Sequence, residues 1–290
     1  MNNSKVAICI SCYNHEDFLP DLLSSIKNQT YDNWHIFFWD QSESDRCYNI
    51  VKKWKDTLKD KITYNRESHS YVYPIGIFRH KMVSLISEYY DYIAIVDADD
   101  FWARDKLEKQ IEAFKRDNNI KLVFGNCKYE YWNKEWMQQG GFPIWAEEVK
   151  LKIDNNKTFH DKYPPLMKGD VFKNLLLKYN FMPCPTLIFE REVLQEVIGN
   201  PEAYTSAEDY DWILKIARKY KVGYIPEVLA YYRIHEDQIT QLSSIRCTME
   251  EIDVVRKFGK RFLYKKRDRV RLKWRLITLY LKLIYKEIFK

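Results

Sequence analysis

Short apolar runs alternate with amphipathic segments along the first hundred residues, and this alternation limits the fold more than any other feature. Runs typical of buried strands occupy residues 6–11, 34–39, 62–64 and 92–96, and helical periodicity is found at residues 18–28, 45–58 and 77–87. Parallel strands need a long crossover connection, which is usually a helix. The pattern therefore predicts β-α-β units and an α/β fold with a largely parallel sheet.

Polar side chains follow three of these runs at the point where each predicted strand ends. Ser11 ends the first run, Asp40 follows the second, and the acids Asp97, Asp99 and Asp100 follow the fourth. In open α/β sheets, ligands bind beyond the carboxyl ends of the strands. Carboxylates this close repel one another unless a cation lies among them, and Mg²⁺ and Mn²⁺ prefer carboxylate oxygens. The sequence predicts a metal-nucleotide site, although acids that only cap the next helix would give the same pattern.

The composition predicts a folded globular protein and argues against secreted and membrane-spanning classes. The chain has 290 residues, with 46% hydrophobic and 16% aromatic residues, enough for one large domain or one domain with an appendage. The apolar run at residues 6–10 is too short for a signal peptide, and no run reaches the roughly 18 residues of a membrane span. The six cysteines lack a paired framework, which suits a reducing compartment. These features predict a cytoplasmic protein.

A second acidic stretch lies in the carboxyl-terminal half. Residues 207–220 have apolar positions at helical spacing, with Glu208 and Asp209 in the first turn. The helix dipole favours acids there, and an acid at a helix start beside a cleft can equally act as a general base. His235 follows a predicted strand at residues 228–234, where it could be a ligand or a hydrogen-bonded structural residue.

A long connection, residues 132–163, carries Trp136 and Trp145. Loops with exposed aromatic residues are commonly binding loops. The alternative is that these tryptophans cover the core.

The basic character of the chain belongs to its tail. Residues 256–290 carry fourteen Lys or Arg side chains against Asp268 and Glu287. A basic amphipathic helix is typical of an element that binds an anionic membrane surface. The alternatives are a helix that packs on the rest of the protein and, less favoured, a nucleic-acid patch.

Seven motifs occur in the order and spacing of bacterial family 2 glycosyltransferases, and over residues 4–240 the sequence resembles that family. The motifs are Ser11-Cys12-Tyr13-Asn14, Gln29-Thr30-Tyr31, Asp40-Gln41-Ser42, Gly76 with Arg79, Asp97-Ala98-Asp99-Asp100, Glu208-Asp209-Tyr210-Asp211-Trp212 and Tyr232-Arg233-Ile234-His235. The resemblance implies a GT-A fold, which is a Rossmann-like, mixed but mostly parallel sheet flanked by helices. The catalytic domain would span residues 1–240, with a nucleotide-binding half at about 1–100 and an acceptor half at 101–240. A basic amphipathic helical extension would follow at residues 241–290.

The resemblance also implies roles for individual residues. Asp209 would be the general base. Asp99 and His235 would hold a divalent cation, Mn²⁺ or Mg²⁺. Asp100, which is left without a role by the resemblance, is then expected to cap the following helix. The nucleotide would contact Ser11, Tyr13, Asp40, Arg79 and Asp97, and acceptor or secondary contacts would come from Glu208, Asp211, Trp136 and Trp145.

Two positions depart from the family pattern. The usual Asp-Asp-Gly-Ser is Trp39-Asp40-Gln41-Ser42 here, and His80 replaces the Asn that commonly follows the Arg. The first change keeps the acid that contacts the base.

These observations predict an inverting, metal-dependent glycosyltransferase. It would move a sugar from a nucleotide-diphosphate donor, a UDP-sugar, to a saccharide or lipid-linked glycan acceptor in cell-surface polysaccharide, lipopolysaccharide or lipid-linked oligosaccharide synthesis. It would lie peripherally on the inner face of the cell membrane, bound through residues 256–290, and it would not bind nucleic acid. The alternatives are a sugar-phosphate nucleotidyltransferase, whose Gly-rich basic loop is not found at residues 11–16, and a non-enzymatic nucleotide-sugar or lipid-binding module.

Overall fold

The computed structural model describes residues 4–67, 72–131, 158–199, 204, 206–242 and 244–288. The strands are β1 (Val6–Cys12), β2 (Trp34–Asp40), β3 (Ile62–Arg66), β4 (Tyr92–Asp97), β5 (Phe101–Trp102), β6 (Ile120–Tyr131), β7 (Ile188–Glu190) and β8 (Lys221–Ile234). The helices are α1 (Leu19–Lys27), α2 (Arg46–Leu58), α3 (Ile75–Ser84), α4 (Lys106–Arg116), α5 (Phe159–Lys162), α6 (Val171–Leu177), α7 (Arg191–Ile198), α8 (Glu208–Lys219), α9 (Ile239–Leu242), α10 (Ser244–Phe262) and α11 (Lys266–Ile288).

Within these residues the strands form one sheet in the order β3-β2-β1-β4-β7-β6-β8-β5. β1, β2, β3 and β4 are parallel to one another, as the β-α-β pattern predicts. β7 is antiparallel to both β4 and β6, whereas β6 and β8 are parallel and β5 is antiparallel to β8. The predicted mixed, mostly parallel α/β sheet is therefore confirmed. It is continuous across position 100, so the two predicted halves share one sheet.

The sheet is covered on both faces because its central strands are apolar on both sides. On β1, Ile8 and Ile10 pack into one core cluster with α1, α2 and α4, while Ala7 and Cys9 pack into the other with α3, α6, α7, α8 and α10. Helix α1 shows why these segments become helices, because its fully buried residues recur at helical spacing and form one apolar face. They are Leu19, Leu22, Leu23 and Ile26.

The two carboxyl-terminal helices pack on the sheet domain. Val255 and Phe258 of α10 and Leu279 of α11 join the larger core cluster. The two helices approach closely at Gly259, where an added Cβ would lie 2.4 Å from the side chain of Leu272. The extension is therefore attached to the catalytic domain by its inner face. No helix within the described residues is long and apolar enough to cross a bilayer.

One sequence expectation is wrong. Asp100 does not cap the following helix, because the chain first forms β5 and α4 begins only at Lys106. Instead, Asp100 is buried and Oδ1 accepts a hydrogen bond of 2.9 Å from the backbone N–H of Arg233 in β8. The acid thus ties the end of β4 to the strand that delivers His235.

Candidate active site

The carboxyl ends of β1 and β4 meet at one edge of a cavity of about 500 Å³. In the register of this parallel pair Ser11 lies beside Asp97, and Ser11 Oγ donates a hydrogen bond of 3.0 Å to Asp97 Oδ1. The cavity size is in the range of small-molecule sites. The polar and sulfur-containing side chains in its lining include Ser11, Tyr13, His15, Gln41, Arg79, Asp97, Asp99, Cys184, Glu208 and Asp209.

Arg79 links the two acidic stretches. It lies on α3 with only 4% of its side chain exposed, and its guanidinium binds both Asp97 and Glu208. A buried guanidinium is tolerated only with charged partners, and its planar fork suits two carboxylates. Arg79 therefore fixes the amino-terminal end of α8 against the end of β4.

Glu208 and Asp209 occupy the first turn of α8 in different ways. Burial raises the pKa of Glu208 to about 7, against the opposing charge of Arg79, and burial likewise raises the pKa of Asp209 to about 6. Glu208 is engaged by Arg79, whereas Asp209 is half-buried at the cavity wall and accepts the N–H of Tyr210 at 2.6 Å. Asp209 is thus the acid that is open to a ligand and titrates close to neutral pH, as a general base requires.

Asp99 lies beside two imidazoles. His235 Nε2 is 3.1 Å from Asp99 Oδ2, and both residues are buried. Burial alone would raise the pKa of Asp99, but the bond with His235 and the nearby charge of His15 lower it. One ligand atom from each of His15, Asp99 and His235 lies within 4.8 Å of the other two. A carboxylate and two imidazoles are a donor set that can hold a divalent transition-metal cation.

Asp100 differs from its neighbours although its oxygens also lie close to those of Asp97 and Asp99. Burial and the charges of Asp99 and Asp97 raise the pKa of Asp100 well above its usual value. Because Oδ1 of Asp100 is already engaged by the backbone N–H of Arg233, we assign Asp100 to the tie with β8.

Two predicted nucleotide contacts, Tyr13 and Asp40, form hydrogen bonds within the protein. Tyr13 lines the cavity, is 39% exposed and donates to Glu43 Oε1 at 2.8 Å. Asp40 is fully buried outside the lining, where its oxygens accept the Ser42 N–H and the Tyr64 hydroxyl, each at 2.7 Å. A base contact by Asp40 would need one of these bonds to open.

Asp211 is also outside the lining. It is 2% exposed and forms ion pairs of 2.5 Å with Lys215 and 3.0 Å with Lys257, so it ties α8 to α10. Trp136 and Trp145 lie outside the described residues.

The sequence analysis assigned no individual role to several residues of the lining, among them His15, Gln41 and Cys184. Gln41 Oε1 accepts the N–H of Tyr73 at 2.7 Å, and Arg79 Nη1 lies 3.5 Å from Cys184 Sγ. The position of His15 in the polar turn after β1, at the carboxyl end of a strand, could have indicated that it lines the cavity. No sequence pattern around Cys184 indicates a site, because its contact with Arg79 joins residues 105 positions apart and depends on the fold.

Known proteins resemble the chain in sequence and in fold. The Escherichia coli protein named UDP-Glc:alpha-D-GlcNAc-diphosphoundecaprenol beta-1,3-glucosyltransferase WfaP is 27% identical over 236 residues, which cover 81% of this chain and 79% of the relative. The structure of S. aureus TarS 1–349 in complex with UDP-GlcNAc has a TM-score of 0.66 at 15% identity, covering 96% of this chain and 73% of that one. Mannosyltransferase PcManGT from Pyrobaculum calidifontis in complex with GDP-Man and Mn²⁺ has a TM-score of 0.62 at 17% identity, covering 98% and 75%.

The sequence match extends through most of the sheet that carries the cavity. The family model described as Glycosyl transferase family 2 matches residues 7–197, which include all of β1 except Val6, all of β2 to β7, and the acids Asp97 and Asp99. With the fold of the two solved structures and the carboxylate-lined cavity at the strand ends, this match shows that the chain is a glycosyltransferase of the GT-A fold and belongs to glycosyltransferase family 2.

Proposed function

We propose that this glycosyltransferase moves a sugar, with inversion, from a UDP-sugar to a hydroxyl of a lipid-linked saccharide in cell-surface polysaccharide, lipopolysaccharide or lipid-linked oligosaccharide synthesis. The observation that carries the proposal is that Asp209, with its pKa raised to about 6, opens into the same cavity as Asp99. The proposed base, Asp209, and the proposed cation ligand, Asp99, therefore line the same cavity and can act on one bound substrate pair. The names of the E. coli relative, a UDP-Glc-dependent enzyme, and of the UDP-GlcNAc complex support the choice of donor.

Proton removal is assigned to Asp209. A sugar hydroxyl is a weak nucleophile until a carboxylate takes its proton in the transition state. The carboxylate of Asp209 accepts that proton while the hydroxyl oxygen attacks the anomeric carbon opposite the leaving diphosphate, so the configuration inverts. Glu208 does not compete for this role, because its carboxylate is held by Arg79.

The donor end of the cavity is assigned to the strand ends in residues 1–100, and the acceptor end to residues 101–240. A divalent cation, held by Asp99 and His235, would neutralise the charge that develops on the leaving diphosphate. Ser11 and Asp97 lie at the same edge, where they can orient the ribose, and the ring of Tyr13 can flank the base. Asp40 shapes this edge through its bond to the Ser42 N–H.

The membrane surface is assigned to α11. Its outer face carries a stripe of exposed apolar side chains, flanked by exposed Arg271 on one side and Lys273 on the other. The stripe consists of Val270, Trp274, Ile277, Leu281, Ile284 and Ile288, which are 46–68% exposed. Such a helix lies in the interface of an anionic membrane. Lys282 and Lys286 of the same helix line the cavity, so a docked α11 would hold the acceptor end beside the bilayer.

The test is transfer by the full chain with UDP-glucose, UDP-GlcNAc and GDP-mannose, each with Mn²⁺ and a GlcNAc-diphospholipid acceptor. We expect transfer from one UDP-sugar, and we expect Asp209→Asn to abolish it while the donor still raises the melting temperature. Asp211→Asn, which alters a neighbouring acid outside the cavity lining, is the matched control. Transfer by Asp209→Asn at the wild-type rate would show that another group is the base. Donor binding without transfer to any acceptor would favour a binding module.

A further inference from the structure

We propose that His15 is a third protein ligand of the divalent cation, so that the site consists of two imidazoles and one carboxylate and selects Mn²⁺ or Co²⁺ over Mg²⁺. The inference rests on the proposed function only in that the same cation serves the donor diphosphate. It adds His15, to which the family motifs assign no role, and it predicts which divalent cation the site prefers.

The loop after β1 fixes His15 in the cavity wall. Asn14 has a φ of 54°, in the left-handed region that Asn tolerates better than most residues, and this turns the chain back toward the strand ends. Two hydrogen bonds hold the turn, from the Asn14 N–H to Ser42 Oγ at 2.8 Å and from the Glu43 N–H to Asn14 Oδ1 at 3.1 Å. The imidazole of His15 is thus placed by backbone geometry.

The ring of His15 then meets the Asp99–His235 pair. Its centroid lies 5.7 Å from that of His235 at an interplanar angle of 89°, and 5.8 Å from the ring of Phe18. Packing alone does not account for this arrangement, because Nδ1 of His15 is buried without a hydrogen-bond partner. A buried unsatisfied polar atom is costly, and such atoms are uncommon in native proteins. Since one ligand atom from each of His15, Asp99 and His235 lies within 4.8 Å of the other two, one cation among them can bind all three residues.

The donor set decides which cation is favoured. Mg²⁺ requires oxygen ligands in near-ideal octahedral geometry, whereas imidazole nitrogen favours the transition metals. With two nitrogens and one oxygen from the protein, the site disfavours Mg²⁺. A second imidazole therefore gives this chain a narrower metal range than one His and one Asp would give.

The experiment measures Mn²⁺ binding to the full chain by the loss of the free Mn²⁺ electron paramagnetic resonance signal. We expect His15→Gln to weaken Mn²⁺ binding by at least about 10-fold, the lower end of the effect of losing a group that supports a metal ligand. His80→Gln, which alters a histidine on α3 outside the cavity, is the control and should bind Mn²⁺ like the wild type. Pulsed measurements of ¹⁴N coupling should show two imidazoles on Mn²⁺ in the wild type and one in His15→Gln.

A second variant, His15→Asp, separates ligation from folding. It keeps three ligands but exchanges a nitrogen for an oxygen, so the ratio of Mn²⁺ to Mg²⁺ affinity should fall below that of the wild type. Unchanged Mn²⁺ affinity and ¹⁴N coupling in His15→Gln would overturn the inference, even if sugar transfer is observed. Conversely, a wild type that binds Mn²⁺ through two imidazoles but transfers no sugar would overturn the proposed function and leave the assignment of His15 in place.

Discussion

The guanidinium of Arg79 binds the carboxylate of Glu208 inside the protein, across 129 positions of sequence. Replacing Arg79 by Met would leave Glu208 and Asp97 without their shared cation, and breaking a buried pair costs about 3–5 kcal/mol. We expect Arg79→Met to lower the free energy of unfolding by that amount in urea denaturation. The matched control is Arg46→Met, which removes an ion pair with Glu16 from an arginine that is 73% exposed and should cost less than about 1 kcal/mol. Equal losses in the two variants would contradict the role given to Arg79.

The pH dependence of transfer should report Asp209. A base must be deprotonated, and burial raises the pKa of Asp209 to about 6. The value of kcat/KM is therefore expected to rise with pH up to a break near pH 6 and then to level off. In Asp209→Glu, any residual activity should keep an acid limb, whereas Asp209→Asn should show no transfer at any pH in the range. A wild-type profile that is flat between pH 5 and 8 would contradict the assignment.

The buried carboxylate of Asp209 should lower the stability of the protein at neutral pH. The folded-state pKa of Asp209 lies above its unfolded value of 3.8, so folding favours the protonated form, and this favourable contribution is lost as pH rises through about 6. Asparagine resembles the protonated acid at every pH. At pH 8 we expect Asp209→Asn to exceed the wild type in free energy of unfolding by about 1–2 kcal/mol, and therefore to melt at a higher temperature, with a clearly smaller difference at pH 4.5. A larger gain at pH 4.5 than at pH 8 would show that the sign is wrong.

Asp211 should prove structural. It is buried between Lys215 and Lys257 and lies outside the cavity lining. Asp211→Asn is expected to lower stability by about 1–3 kcal/mol, the usual range for hydrogen bonds to charged groups, and to leave KM for the acceptor unchanged. A raised KM for the acceptor with unchanged stability would return Asp211 to the acceptor site.

The stripe on α11 can be tested with vesicles. We expect the wild type to sediment with phosphatidylglycerol vesicles at low salt and to be released as salt increases, because the charges flanking the stripe are screened. Trp274→Ser with Leu281→Ser should abolish vesicle binding without lowering the melting temperature, since both side chains are exposed. Leu85→Ser, on a different surface and 64% exposed, is the control. If the wild-type protein does not bind vesicles but dimerises through Trp274 and Leu281, the stripe is an interface between two copies of the chain instead.

Local sequence patterns predicted the elements well but not their long-range partners. The apolar runs gave β1, β2 and β4 to within one residue, because a strand buried on both faces must be apolar along its length. Asp100 was misjudged because its partner, the N–H of Arg233, is 133 positions away, and no local pattern carries that information. The seven motifs identified the acids of the cavity. They did not reveal that Asp40 has both oxygens engaged, since hydrogen bonds from Ser42 and Tyr64 depend on the final fold.

The position of β7 sets the order in which the protein can be completed during synthesis. β7 is three residues long and lies between β4 and β6, pairing Ala94 and Val123 with opposite sides of Ile188. Until the ribosome has released residue 190, β4 has an unpaired outer edge and the two groups of parallel strands have no common neighbour. Exposed apolar edges invite pairing with other chains. Nascent chains that end before the short strand are therefore expected to be prone to aggregation, and its emergence covers the edge of β4 before β8 completes the sheet.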